Sequence, residues 1–126
     1  MPFVQYNANP ANNLDIDCTV RAISKFTGKS WDESYIGTVV EGFTLKRMPN
    51  SNIVWESYLK HLGCIREPIP NFCPDCYTVR EFCEDHPRGS FLLATNGHVV
   101  AVVDGNYYDT WDSGDEVPAY YWFKGE

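Results

Sequence analysis

Three residue types in one order carry the chemical signal: Cys18, then His98, then a group of aspartates at 104, 109 and 112. A cysteine acts as a nucleophile through its thiolate. A histidine can take the thiol proton and return it to a leaving group. A carboxylate can hold the imidazole in the useful orientation. Cys18 falls in the first turn of a helix expected over residues 18–26, where unpaired backbone N–H groups and the helix dipole favour a thiolate. The structural alternative is a small buried residue at the start of a core helix. His98 opens an apolar run just after Asn96-Gly97, at the edge of an expected strand. His61, beside Lys60 on a polar helix face, and His86, in Glu-Asp-His-Pro, are weaker candidates.

Hairpin geometry bears on the third member. Asp104-Gly105 between two apolar runs is a two-residue turn signal. With that turn, Val103 pairs with Asn106 and His98 with Trp111. Residues directly opposite share a face, as do alternate residues of one strand. Asp109 then lies on the face of His98, one diagonal step away. Asp112 reaches it only if the strand has ended or a bulge shifts the register. Asp109 is favoured, Asp112 remains the alternative, and Asp104 belongs to the turn.

The elements that must position these residues read as helices first and strands after. In the first helix Val20, Ala22, Ile23 and Phe26 form one buried stripe, with Asp17 at the capping position and Gly28 closing it. Ser30-Trp31-Asp32-Glu33 is a capping box for a second helix that stops near Gly42. A third runs from Ser51 to about Leu62, closed by Gly63. Residues 64–77, with Pro68, Pro70 and Pro74, read as an ordered loop or short edge strand. Thr78-Val79-Arg80-Glu81 opens a short helix that ends before Pro87. Residues 90–95, 98–103, 106–111 and 119–123 alternate with period two. The expectation is one α+β domain over residues 1–126, helices packed on an antiparallel sheet of about four strands.

Composition narrows the classes. The chain has 126 residues, 44% of them apolar and 15% aromatic, which excludes disorder, collagen-like repeats and coiled coil. No apolar run approaches the roughly 20 residues that span a bilayer, and no secretory signal is read at the N-terminus. The net charge is −7, concentrated after residue 83, where 8 acidic residues meet 2 basic ones. Such a surface disfavours nucleic acid and anionic membranes as partners, and its simplest reading is solubility. No glycine-rich phosphate loop is present.

Five cysteines without a signal point to reduced thiols in a cytosol. Cys64, Cys73, Cys76 and Cys83, flanked by His61 and His86, are weak zinc candidates. Cys73-Pro74-Asp75-Cys76 is a knuckle-like pair, but the second tight pair of a structural zinc site is missing. No metal or cofactor is expected, and a Cys73–Cys76 disulfide is a minor alternative. The dense tyrosines and tryptophans after residue 106 read as sheet core rather than an exposed binding floor.

Asp17-Cys18-Thr19-Val20-Arg21-Ala22-Ile23, Gly97-His98-Val99-Val100-Ala101-Val102-Val103-Asp104-Gly105 and Tyr108-Asp109-Thr110-Trp111-Asp112-Ser113 together resemble a family of small phage and prophage proteins similar to minimal papain-like cysteine peptidases. Asp109-Thr110-Trp111 also resembles the papain Asn-Ser-Trp segment. The resemblance implies a minimal papain-like fold, with Cys18 as nucleophile, His98 as base and acid, and Asp109 or Asp112 as the orienting acid. It implies a thiol hydrolase acting on a protein or peptide amide or isopeptide bond, in a bacterial host cytoplasm. Acyl transfer or deamidation would use the same residues. The family's glutamine oxyanion donor has Asn12 at its position, within an Asn-rich segment that also reads as plain turns. Arg21 reads as a structural ion pair or surface contact. A catalytically inactive binding module on the same scaffold is the alternative from a different class, and a zinc-stabilised interaction domain over residues 61–86 is a third.

Overall fold

The structure, a computed structural model, describes residues 2–70 and 75–125. Its elements run β1 (Phe3–Gln5), α1 (Cys18–Thr27), α2 (Trp31–Leu45), α3 (Asn52–His61), β2 (Cys64–Pro68), α4 (Val79–Asp85), β3 (Ser90–Thr95), β4 (His98–Val103), β5 (Asn106–Asp109) and β6 (Tyr120–Lys124). This is an α+β fold. The sheet is larger than the four antiparallel strands expected. Among the described residues it has six strands in the order β1-β5-β4-β3-β6-β2, and β1 runs parallel to β5. Three residues are too few to show a period, and β1 finds its partner about a hundred positions away (Phe3 opposite Tyr107).

Alternation along the strands divides the core into two layers. Leu92, Ala94, Val99, Ala101 and Trp122 face α1 and α3, meeting Ala22, Ile23, Phe26, Trp55 and Leu59. Leu93, Val100, Val102 and Tyr107 face the other way, against Val79, Phe82 and Cys83 of α4. Both faces of the central strands are therefore dry. This explains the unbroken apolar run of β4, from Val99 to Val103. The β4–β5 hairpin turns on Asp104 and Gly105 at φ 50° and 79°, the two positive angles of a type I′ turn. Val103 pairs with Asn106, as the turn arithmetic requires. The open end of this hairpin holds His98 and Asp109.

Both capping boxes form, at Ser30–Glu33 and Thr78–Glu81. α1 ends at Gly28 in the left-handed region, φ 80°. Asp17 occupies the N-cap position but its side chain makes no cap. Instead it binds the Arg21 guanidinium and accepts from Trp31 Nε1 at 2.9 Å. The helix start is tied to α2 rather than closed on itself.

α2 outruns its expected stop at Gly42 by three residues, to Leu45, and ends on Lys46 at φ 58°. Gly42 has a different task. A Cβ there would sit 2.6 Å from the Arg47 carbonyl oxygen, so glycine lets the chain fold back over the helix. The buried positions of α2 are Ser34, Thr38, Glu41 and Gly42, while Ile36, Val40 and Phe43 face solvent.

Gly42→Ala is expected to lower the unfolding free energy by about 1–2 kcal/mol, the backbone clash outweighing the better helix propensity of alanine. Urea denaturation reads this as a lower midpoint at unchanged slope. An unchanged or raised midpoint would show that the return after α2 does not need glycine.

Candidate functional site

The site assembles where the first turn of α1 meets the open end of the β4–β5 hairpin. Cys18 begins α1, His98 begins β4 and Asp109 ends β5. His98 Nε2 lies 2.6 Å from Asp109 Oδ2. That leaves Nδ1 for the thiol, and the Cys18 side chain is hydrogen-bonded to the His98 imidazole. The structure thus brings Cys18, His98 and Asp109 into one connected set.

The carboxylate at the far end is 2% exposed and fully engaged. Oδ2 also accepts from Ser113 Oγ at 2.7 Å, and Oδ1 accepts from the Thr110 backbone N–H at 2.8 Å. Arg21 Nη2 stands 3.6 Å from Oδ1. Capture of the Thr110 N–H by its own predecessor's carboxylate turns the chain and ends β5 at Asp109, two residues before the expected end at Trp111. From the other side β1 pins the same residue. Tyr6 N–H donates to the Asp109 carbonyl oxygen at 2.8 Å, and Gln5 Nε2 donates to the Thr110 carbonyl oxygen at 3.0 Å.

Asp112 is the corrected alternative. Its carboxylate accepts from the Tyr107 hydroxyl and from the Gly114 N–H at 3.0 Å, and it pairs with Arg80 at 3.5 Å. Those partners hold it away from His98, and Arg80 is further tied to Asp115. The cluster clamps the loop that delivers Ser113. Trp111, half-exposed, packs beside the His98 ring at a centroid distance of 4.9 Å.

The electrostatics follow from this wiring. Burial disfavours the Cys18 thiolate. Hydrogen bonds from His98, the Val99 backbone and the Thr19 hydroxyl, together with the charge on His98, outweigh it and hold the thiol below its ordinary value. Burial also disfavours the His98 imidazolium, yet Asp109 and Cys18 raise it to about 9. Asp109 is lowered despite its burial, because His98 and Ser113 donate to it. The other free thiols behave in the opposite way. Burial raises Cys64, and it pushes Cys83 up to about 12. Among these three, Cys18 alone is poised to ionise.

A cleft of about 280 Å³ opens over Cys18 and His98, with Thr19, Asn52, Trp55 and Tyr120 among its walls. Asn12 is not one of them. It is exposed at φ 57°, in a segment whose asparagines serve their own turns: Asn7 Oδ1 accepts from Asn9 N–H and Asn9 Oδ1 from Ala11 N–H. Asn52 is the amide the sequence did not single out. Its Oδ1 accepts from Trp55 Nε1 at 3.0 Å. An indole nitrogen only donates, so this contact sets the amide orientation and leaves Nδ2 free to donate.

Among the described residues, the zinc candidates Cys64 and Cys83 lie in separate core layers. Cys64 lies in the core layer under α1 and α3, Cys83 in the layer under α4, and Cys73 lies outside the described residues, with any pairing to Cys76. Among the described residues no group of three His, Cys, Asp or Glu side chains is placed to hold a metal ion. His61 pairs with Glu41 and His86 stacks on Phe82. No described helix is long and apolar enough to cross a membrane.

Fold and site define an α+β protein with a thiol, an imidazole and a buried carboxylate brought together where α1 meets the open end of the β4–β5 hairpin. Comparison of the chain with family models, with curated proteins and with solved structures finds no match.

The two shifted groups of the pair act on stability in opposite directions. The folded value of His98, about 9, lies above the ordinary 6.5. Its contribution is therefore complete below pH 6.5 and disappears as pH rises through about 9. The folded value of Cys18 lies below 9.0, so its contribution is complete above pH 9.0 and is lost as pH falls through the lowered value. Where the lowered range of Cys18 overlaps the raised range of His98, the two slopes oppose each other. Cys18→Ser leaves the imidazolium half alone. Its unfolding free energy is expected to fall more steeply over that window than the wild type's, as measured by urea denaturation across pH. Equal slopes would mean that the Cys18 thiol is not lowered in the folded protein.

Proposed function

We propose that the protein is a thiol hydrolase with a minimal papain-like arrangement, acting on an amide, peptide or isopeptide bond of a protein or peptide substrate. The observation that carries this reading is the connected Cys18–His98–Asp109 set, in which one free thiol is lowered while the others are raised. A buried cysteine in a structural role has no need of that contrast. The order of the elements supports the papain-like part: nucleophile at a helix N-terminus, histidine and acid on neighbouring antiparallel strands. A bacterial host cytoplasm is the compartment that the resemblance implies.

In the proposed reaction the Cys18 thiolate attacks the substrate carbonyl carbon. The carbonyl π pair moves onto oxygen. The Cys18 backbone N–H, unpaired at the helix start, and Asn52 Nδ2 stabilise that oxyanion. Collapse expels the amine, which takes the proton of the His98 imidazolium, and a thioester on Cys18 remains. Neutral His98 then removes a proton from water as water attacks the thioester. The carboxylic product leaves and the thiolate–imidazolium pair is restored. Asp109 keeps Nε2 protonated throughout, so that Nδ1 is the nitrogen that exchanges protons. Arg21 and Ser113 are positioning residues acting through Asp109.

Two probes separate the nucleophile from the oxyanion site. Iodoacetamide requires only a thiolate, whereas p-nitrophenyl acetate must pass through a tetrahedral oxyanion. Cys18 is expected to be the first thiol alkylated at mildly acidic pH, as followed by intact-protein mass spectrometry, and His98→Ala to abolish that lead. Asn52→Ala should keep the alkylation rate within about twofold and slow acylation by about 100-fold. If Cys18 labels no faster than Cys64 or Cys83, the hydrolase reading fails and the inactive binding module takes its place. If Asn52→Ala acylates normally, the oxyanion donor lies elsewhere.

A further inference from the structure

α2 is inside out. Its buried stripe is small and polar (Ser34, Thr38, Glu41, Gly42), and these residues pack on α1 and α3. Ile36, Val40 and Phe43 lie on the outer face at 57%, 58% and 73% exposure. The spacing, i, i+4, i+7, makes one continuous apolar ridge. A surface helix ordinarily shows the reverse pattern, and leaving three large apolar side chains in line in water is unfavourable.

The charges around the ridge say what covers it. Asp32 and Glu33 precede it, and Lys46 and Arg47 follow it. Asp32 and Glu33 line a shallow groove with Ile36, and Lys46 and Arg47 line one with Phe43, so each pair of charges borders an end of the ridge. Lys46 Nζ lies 3.9 Å above the Phe43 ring. The arrangement is symmetric about the point midway between Val39 and Val40. Asp32 and Arg47, Glu33 and Lys46, and Ile36 and Phe43 are each equidistant from it in sequence. A helix with this layout is complementary to itself when a second copy lies antiparallel across it. Asp32 then faces Arg47 of the second copy, Glu33 faces Lys46 of the second copy, and the apolar ridges meet between them. That is the isologous geometry of a twofold dimer.

We propose that α2 is a self-association surface through which two copies of the protein form an antiparallel, twofold-symmetric dimer. The helix is about 22 Å long, so the interface is at the small end of specific interfaces, on the order of 1,000 Å² in total, and the dimer is concentration-dependent. Trp31, Tyr35 and Thr38, which border the cavity beside the Cys18 cleft, occupy a different side of α2. Association leaves the cleft open. The inference does not depend on the hydrolase reading.

Sedimentation velocity across a wide concentration range tests it. The wild type is expected to shift from monomer to dimer as concentration rises. Val40→Asp changes an exposed side chain and leaves the fold intact by circular dichroism. It is expected to weaken association by at least about 100-fold, because two unpaired charges are buried at the twofold. Asp32→Arg and Arg47→Asp should each weaken the dimer by about fivefold, and the double variant Asp32→Arg/Arg47→Asp should restore it. A protein that stays monomeric at all concentrations overturns the proposal and leaves the ridge to a different partner. A dimer indifferent to Val40→Asp, or a charge swap that fails to restore it, shows that the copies meet elsewhere or in another orientation.

Discussion

A carboxylate sealed inside a protein is costly unless every lone pair is met, and Asp109 is the point around which this molecule arranges its donors. His98 from β4, Ser113 from the following loop, the Thr110 backbone and Arg21 from α1 all converge on it. The donors arrive from α1, from β4 and from the loop after β5, so satisfying one side chain fixes the relative positions of helix, hairpin and loop. Arg21 extends the constraint further. Itself 6% exposed, it bridges Asp109 and Asp17, and Asp17 in turn holds Trp31 at the start of α2. The position of the Cys18 thiol follows from the same chain of contacts, three residues from Arg21 along α1.

How much of this was legible in the sequence depended on the range of the interaction. Local signals read correctly: two capping boxes, the left-handed glycine after α1, and a two-residue turn whose register placed Asp109 rather than Asp112 beside His98. The limits of β3 and β4 agree with the strands read over residues 90–95 and 98–103. What escaped was set at a distance. β1 is three residues long and gains its identity only from β5. Ser113 looks like any loop serine until the chain turns it onto Asp109. Asn52 opens a helix, where asparagine is unremarkable, and only the Trp55 indole makes its orientation specific. Asn12 does not line the Cys18 cleft; it stands exposed in a segment where the side chains of Asn7 and Asn9 make local turns.

The acidic C-terminal third also changes meaning. Counted as charge, it suggests a surface kept for solubility. In the fold, three of its aspartates have structural employment: Asp109 binds His98, Asp112 binds Tyr107 and Arg80, and Asp115 binds Arg80. Net charge had merged groups that hold the site together with groups that merely face water.

The residues of the site stand far apart along the chain, and synthesis runs in one direction. Cys18 is made first, and His98, Asp109 and Ser113 only some eighty to ninety-five positions later. The hairpin that carries His98 and Asp109 is local, but its contacts with α1 are non-local, and contacts of that kind assemble late in folding. Throughout translation, then, the nascent chain carries a thiol of ordinary acidity. The lowering of that thiol coincides with the docking of α1 on the hairpin, so its timing is set by the topology itself.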